Sequence, residues 1–484
     1  MRVRARGDFL APRPDRAYLC EIMRLHRSLA VGCLLSLVIA LPLAAGCESS
    51  SPSATTSTGD GGPDIDANVP STCTPATGAG TTHSTIDGDE TWTAAASPHV
   101  VDTSSTIGAG KTLTLEPCAV VQLKAGIGLL VEGKLLAQGA ADKPIRIERG
   151  DSASAWSSIE ARQGASLSLA YVTVEGGGFS NGGRPTQFGM LDIRGNQDVA
   201  AQPALLADHV TLKGSESLGI WLREGGGFAP GSKDLTITGG KDFPMLIWGR
   251  ALRTLPSGTY TGNSTDEIIT PGNGGTDDIQ EDTTLADHGV PYRVGGPTGG
   301  ATLVVRNTAG TIPLLTIQAG VTLRFDANGR VDLDSASDLA IGALRVEGTA
   351  DKPVIFTSAK AAPAAGDWTG IVFEGLPDPR TKIAYAKISY AGGTSGISSY
   401  GCPSPGAPSF ANQGAIIFAG GAPPAGAVSN TTIDNSAGEG IVRGWTGAEV
   451  DMLATNTFTG IARCNQTLPK PQNGVCPDPA PCPK

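Results

Sequence analysis

Several stretches of this sequence hold residues that do chemistry in other proteins. The densest carboxylate cluster is TDDIQED, Thr276 to Asp282. Glycoside cleavage needs two carboxylates facing each other across a sugar. Here the acids share one loop beside PGNGG, and no Lys or Arg lies between Arg253 and Arg293, so the loop reads as solvated or weakly ion-binding. DANGRVDLD offers Asp326, Asp332 and Asp334 as a weak surface Ca²⁺ site. It is no EF-hand, because Gly329 stands fourth rather than sixth and no Glu closes the loop. GAGKT, Gly108 to Thr112, lacks the first Gly of a phosphate-binding loop, since Ser105 stands there, and reads as a turn. The histidines after the leader (His83, His99, His209 and His288) are not at metal-ligand spacing. Trp221 and Trp248 would form a sugar-stacking pair if neighbouring coils brought them together.

The elements that must position these residues are short strands. In Gly342–Gly375 three apolar pieces, Leu344–Val346, Val354–Phe356 and Ile371–Phe373, are separated by Gly348, Pro353, Pro363 and the Gly366-Asp367 pair. Strands this short cannot bury their inward faces alone and must stack on copies of themselves. A copy lies upstream. LTIQAGVTLRF at Leu315 matches LTLEPCAVVQL at Leu113, an offset of 202, and GALRVEGTADKPVIF matches GKLLAQGAADKPIRI at an offset of 209. Trp368 matches Trp156 and Ile383 matches Leu169, at 212 and 214. Segments 113–178 and 315–393 are therefore an internal duplication. Further coils, such as VTLKGSESLGIWL and LTITGGKDFPMLIW, share the strand–turn–strand form.

Composition agrees. Gly (66) and Pro (34) make about a fifth of the 484 residues turn formers, as many tight corners require. Aromatic content of 5% is sparse for a sugar-cleft enzyme, and the formal charge of −10 argues against nucleic acid or an anionic membrane surface as partner. An apolar run from Leu29 to Leu43 follows Arg24, His26 and Arg27, too short for a membrane span and right for a secretory leader. Met23 is an alternative start.

Two resemblances follow from these residues. LAAGC, Leu43 to Cys47, resembles the lipobox of bacterial lipoproteins, with Ala44 where that family usually has Leu. The resemblance implies cleavage after Gly46, diacylglycerol on Cys47 and acylation of the new amino group. Glu48 after the cysteine implies the outer membrane or cell surface. The repeats, through GTADKP-VIFTS, GDWTGIVF, ISYAGG and HGVPYRV, resemble the right-handed parallel β-helix of bacterial surface lipoproteins over most of 92–462. That implies an all-β solenoid of roughly 15–18 coils, about 75 Å long at about 4.8 Å per rung. The expected organisation is a signal peptide at 1–46, a disordered lipidated tether at 47–88, β-helix at 89–286 and 287–462, and a Pro/Cys-rich cap at 463–484. No cofactor beyond that Ca²⁺ is expected, and a monomer is.

Such helices host lyases, glycosidases, adhesins and spacers, so the fold does not decide the function. The expected function is a non-catalytic, lipid-anchored rod for surface binding, with a glycan as candidate partner. The alternative is a polysaccharide lyase or glycosidase on the same scaffold. Six cysteines remain after the leader and Cys47: Cys73, Cys118, Cys402, Cys464, Cys476 and Cys482. An even set in an exported protein implies disulfides. Fifteen pairings are open; proximity and rung stacking favour 73–118, 402–464 and 476–482. If Cys47 carries the anchor, Cys47→Ser is expected to move the protein wholly to the aqueous phase in detergent partitioning; wild-type protein already in that phase would refute the anchor.

Overall fold

In the computed structural model, residues 70–483 are described, apart from 75–77, 151–153, 180–187, 197–201, 274–276, 297–299, 308–309, 334–341 and 408–410. Cys47, most of the tether and Asp334 lie outside the described residues. The chain is a right-handed parallel β-helix. One sheet of 13 strands runs from Ser105–Ile107 to Thr457–Thr459 and receives one strand from each coil. At about 4.8 Å per rung, 13 coils span about 58 Å, shorter than the expected rod. The coils are longer than assumed. Ile107 lies opposite Val131, 24 residues on, but Ile388 lies opposite Ile433, 45 residues on, because the segment between Ser389 and Gly414 loops out.

The remaining strands form a 12-stranded sheet in the first half and six- and five-stranded sheets in the second. The long sheet passes unbroken through the expected junction at 286/287, where Ile268–Thr270 pairs with Tyr292–Val294. Alternate residues point inward. Leu323, Phe325, Val354, Phe356 and Ile388 are fully buried in one continuous core. The helix also begins earlier than expected. Thr81–His83 pairs with His99–Val101, and the Thr72 amide donates to the Asp142 carbonyl at 2.7 Å.

The duplication is visible atom by atom. Trp156 Nε1 donates to the Glu175 carbonyl and Trp368 Nε1 to the Ser389 carbonyl, both at 2.8 Å. Tyr171 and Tyr385 both have φ of 50°, turning the same corner. A Cβ on Gly348 would sit 2.0 Å from the Tyr385 carbonyl oxygen, and one on Gly139 2.7 Å from that of Tyr171, so neither corner admits a side chain. Yet equivalent strands occupy different faces. Val120–Leu123 and Ile145–Arg149 belong to the 12-stranded sheet, while their counterparts Thr322–Phe325 and Val354–Ser358 belong to the 13-stranded one. The copies are thus rotated by one face about the axis, and their outward residues do not line up.

Both ends of the core are capped. At the start, Trp92 stacks on both His83 and His99, with ring centroids 4.1 and 5.1 Å away. His99 Nε2 is 2.8 Å from the Thr93 carbonyl and so donates to it. Its Nδ1 is then an acceptor, and His83 Nε2 donates to it at 3.0 Å. At the far end Arg443 takes an inward position next to Phe418 and is fully buried under the tail, where Gln466 and Lys470 bridge Ile441 and Thr446. Its guanidinium donates to the Thr467 carbonyl and, at 3.2 Å, to Glu449.

Three disulfides tie these ends: Cys73–Cys118, Cys402–Cys476 and Cys464–Cys482. The expected 402–464 and 476–482 bonds are not formed. The tail folds back over the last rungs, so Cys482 reaches Cys464 while Cys476 reaches the loop carrying Cys402. Proximity along the chain is a poor guide where a segment doubles back.

Burial holds the His83 imidazole below its ordinary value, with His99 adding to the effect and Glu90 opposing it. The folded state therefore favours neutral His83. Its stabilising contribution is complete above pH 6.5 and is lost as pH falls from there through the lowered value. The thermal midpoint of wild type relative to His83→Gln is expected to be higher at pH 7.5 and to converge on the variant by pH 5. A difference independent of pH would contradict this cap.

Candidate functional site

The most chemically varied surface lies on the outer face of the 13-stranded sheet, coils one to nine. Inward residues Ile159, Leu191, Ile220 and Met245 anchor each strand in the core, which turns the next residue outward. The register then stacks one outward ladder: Leu130, Glu160, Asp192, Trp221, Leu246, Ile269, Arg293 and Arg324. It passes from acid to aromatic to apolar to basic along the axis.

The acidic end is locked by arginines. Arg223 holds Asp192 with two bonds of 2.9 Å and lies 3.8 Å from Glu160. Arg162 bridges Glu132 and Glu160 at 3.3 and 3.5 Å, and Arg194 holds Glu224 at 2.6 and 2.8 Å. Burial pushes the Asp192 carboxyl up to about 6, against the pull of Arg223. Arg194 holds Glu224 below the ordinary carboxylate value. Ahead of this network an open depression of about 260 Å³ is lined by Ser104, Thr106, Leu130, Ser158, Glu160 and Arg162.

Trp221 and Trp248, paired from sequence, lie on neighbouring coils and share one apolar cluster. Both are half-buried against an outer apolar cluster of Leu218, Phe243, Leu246 and Ile269. They are not equal. The Arg223 guanidinium sits 4.6 Å over the Trp221 ring, so one face of that indole is already taken by a cation–π contact. Beyond the cluster a second network joins Arg324 to Glu267, and Arg293 to Glu267 at 3.5 Å and to Asp326 at 2.8 Å.

The other sequence candidates disperse. Asp326 accepts from Arg293 and from the Gly296 amide, and Asp332, buried on the six-stranded sheet, pairs with Arg330 at 2.5 Å. Each of these two carboxylates faces an arginine. The acidic loop is corrected more strongly, for it is neither solvated throughout nor remote from cations. Asp277 and Asp278 are buried; Asp277 accepts from the Gly249 amide at 2.6 Å, and Arg306 holds Asp278 at 2.7 Å. Arg253 reaches Glu281 at 3.2 Å. These partners come from neighbouring coils, 28 residues away along the chain in the first three cases. Gly108–Lys111 is a turn, closed by Lys111 N donating to the Gly108 carbonyl.

Residues 278–399 match the family model of the pectate-lyase-like beta helix domain. This chain carries such a β-helix. The matched segment holds the whole second copy, 315–393, and the basic end of the outer ladder, Arg293 and Arg324, but not its residues from Leu130 to Ile269. No curated protein and no solved structure matches the chain significantly.

Proposed function

We propose that this protein binds a glycan along the outer face of its long sheet, without cleaving it, while anchored to the bacterial outer membrane or cell surface through acyl chains on Cys47. The pectate-lyase-like β-helix marks it as a carbohydrate-related protein. The observation that carries the reading is the run from the hydroxyl-lined depression at Ser104 and Thr106, past Glu160, Asp192 and Arg223, to Trp248. It places hydroxyl and charged hydrogen-bonding groups beside an aromatic wall, across six coils or about 24 Å. A neutral polysaccharide fits best. The acids and arginines of the face satisfy one another, and a mature chain with 43 acidic and 29 basic residues repels an anionic polymer.

One observation favours the enzymatic alternative: Glu160 and Asp192 stand in register on adjacent rungs, the second with a raised proton affinity. Against it, both Asp192 oxygens already accept from Arg223, which leaves the carboxyl tied rather than poised for proton transfer.

Affinity electrophoresis on a panel of neutral and acidic polysaccharides tests both. Retention is expected on a neutral polymer, weakened about tenfold by Trp248→Ala, the size of one lost aromatic contact of about 1.5 kcal/mol. Trp221→Ala is expected to weaken it less. Absence of retention on every polymer would refute the proposal. Release of reducing or unsaturated ends, abolished by Asp192→Asn or Glu160→Gln, would establish the enzyme instead.

A further inference from the structure

On a different corner of the helix, three successive rungs of the 12-stranded sheet turn through left-handed residues: Tyr171, His209 and Asp234, with φ of 50°, 54° and 51°. The Tyr171 ring stacks on the His209 imidazole at 4.4 Å and 14°, which fixes the ring plane. Asp208 Oδ1 lies 2.6 Å from His209 Nδ1, so this nitrogen carries the proton and donates it. The neutral ring then presents the Nε2 lone pair to Asp234 Oδ2, 3.4 Å away. Two electron-rich atoms facing each other at that distance call for a cation between them. Among the described residues a further charged neighbour, Lys233, has its Nζ 3.9 Å from Asp208 Oδ1, on the other carboxylate.

We infer that this corner binds a divalent transition-metal ion, with Zn²⁺ the best fit, through His209 Nε2 and Asp234, with Asp208 orienting the imidazole. Zinc bonds of roughly 2.0–2.1 Å to nitrogen and oxygen put tetrahedral neighbours roughly 3.4 Å apart, the separation found between Nε2 and Oδ2. The carboxylate behind Nδ1 is the usual outer partner of a metal-bound histidine, since it sets the tautomer and raises the basicity of the ligating nitrogen. One donor atom from each of the three residues lies within 4.8 Å of the others. An imidazole ligand selects zinc, copper or nickel over Ca²⁺, which takes oxygen ligands. Asp234 is exposed and His209 half-exposed, so an ion enters from solvent and water fills the open positions. The sequence hid the site because Asp234 reaches His209 from the next coil.

The competing arrangement is a proton shared in place of the metal, giving an imidazolium between two carboxylates. Equilibrium dialysis of the purified chain against Zn²⁺ at pH 7.5 separates the two. One bound ion is expected in wild type, lost in His209→Asn and in Asp234→Asn, with affinity down roughly 10- to 100-fold in Asp208→Asn. Asn tolerates the left-handed corner, so these variants keep the backbone. No bound ion in wild type, or equal binding by His209→Asn and Asp234→Asn, would overturn the inference. Independently of any variant, Zn²⁺ is expected to protect His209 of the wild-type chain from diethyl pyrocarbonate, read by mass spectrometry. Unchanged modification of His209 at saturating Zn²⁺ would also overturn it.

Discussion

Everything in this protein depends on inward stacking along parallel ladders. No coil can bury its own apolar face, because a few short strands enclose too little volume. Each is stable only because like residues sit about 4.8 Å above and below. Leu323 under Phe356, and Phe356 under Ile388, are successive members of one such column. The constraint leaves the two ends as the places where the pattern must break. The chain breaks it with rings at the start, with a buried arginine at the finish, and with disulfides at both.

The same constraint fixes what the outer surface can do. Because inward positions are committed to packing, function falls to the alternate, outward residues, and their neighbours are set by coil length rather than by sequence distance. Glu160, Asp192 and Trp221 are about 30 residues apart yet adjacent in space. Where coils lengthen, as between Ser389 and Gly414, the extra chain folds onto the outer face of the six-stranded sheet. Ile397 there packs with Val372, Ile417 and Val442, and that face is closed to a ligand. The first-half face of the long sheet carries its apolar cluster only from Leu218 onward, so its early coils stay open.

This explains what the sequence could disclose. Period-two alternation and the duplication were legible, since the inward column needs apolar residues at regular places in both copies; Trp156 and Trp368 make the same bond. The bonds between coils were not. The partners of Asp277 and Asp278 looked absent because Gly249 and Arg306 are found only by knowing the coil length, which varies from 23 to 45 residues along the long sheet. The one-face rotation between the copies was hidden for the same reason. Trp221 and Trp248 pack on one outer apolar cluster, but Arg223 over Trp221 makes the two unequal, and nothing in their spacing indicated that. The cysteine set was legible, whereas its pairing depends on a tail that doubles back.

The glycan groove on the long sheet is the account's central claim. Hydrogen–deuterium exchange of the purified chain, with and without a retained neutral oligosaccharide, tests it most directly. The account predicts slowed exchange in peptides covering 104–106, 128–131, 157–162, 191–195 and 220–224, and at 248, with the five- and six-stranded sheets unchanged. Protection centred on those sheets, or on the capped ends, would contradict it.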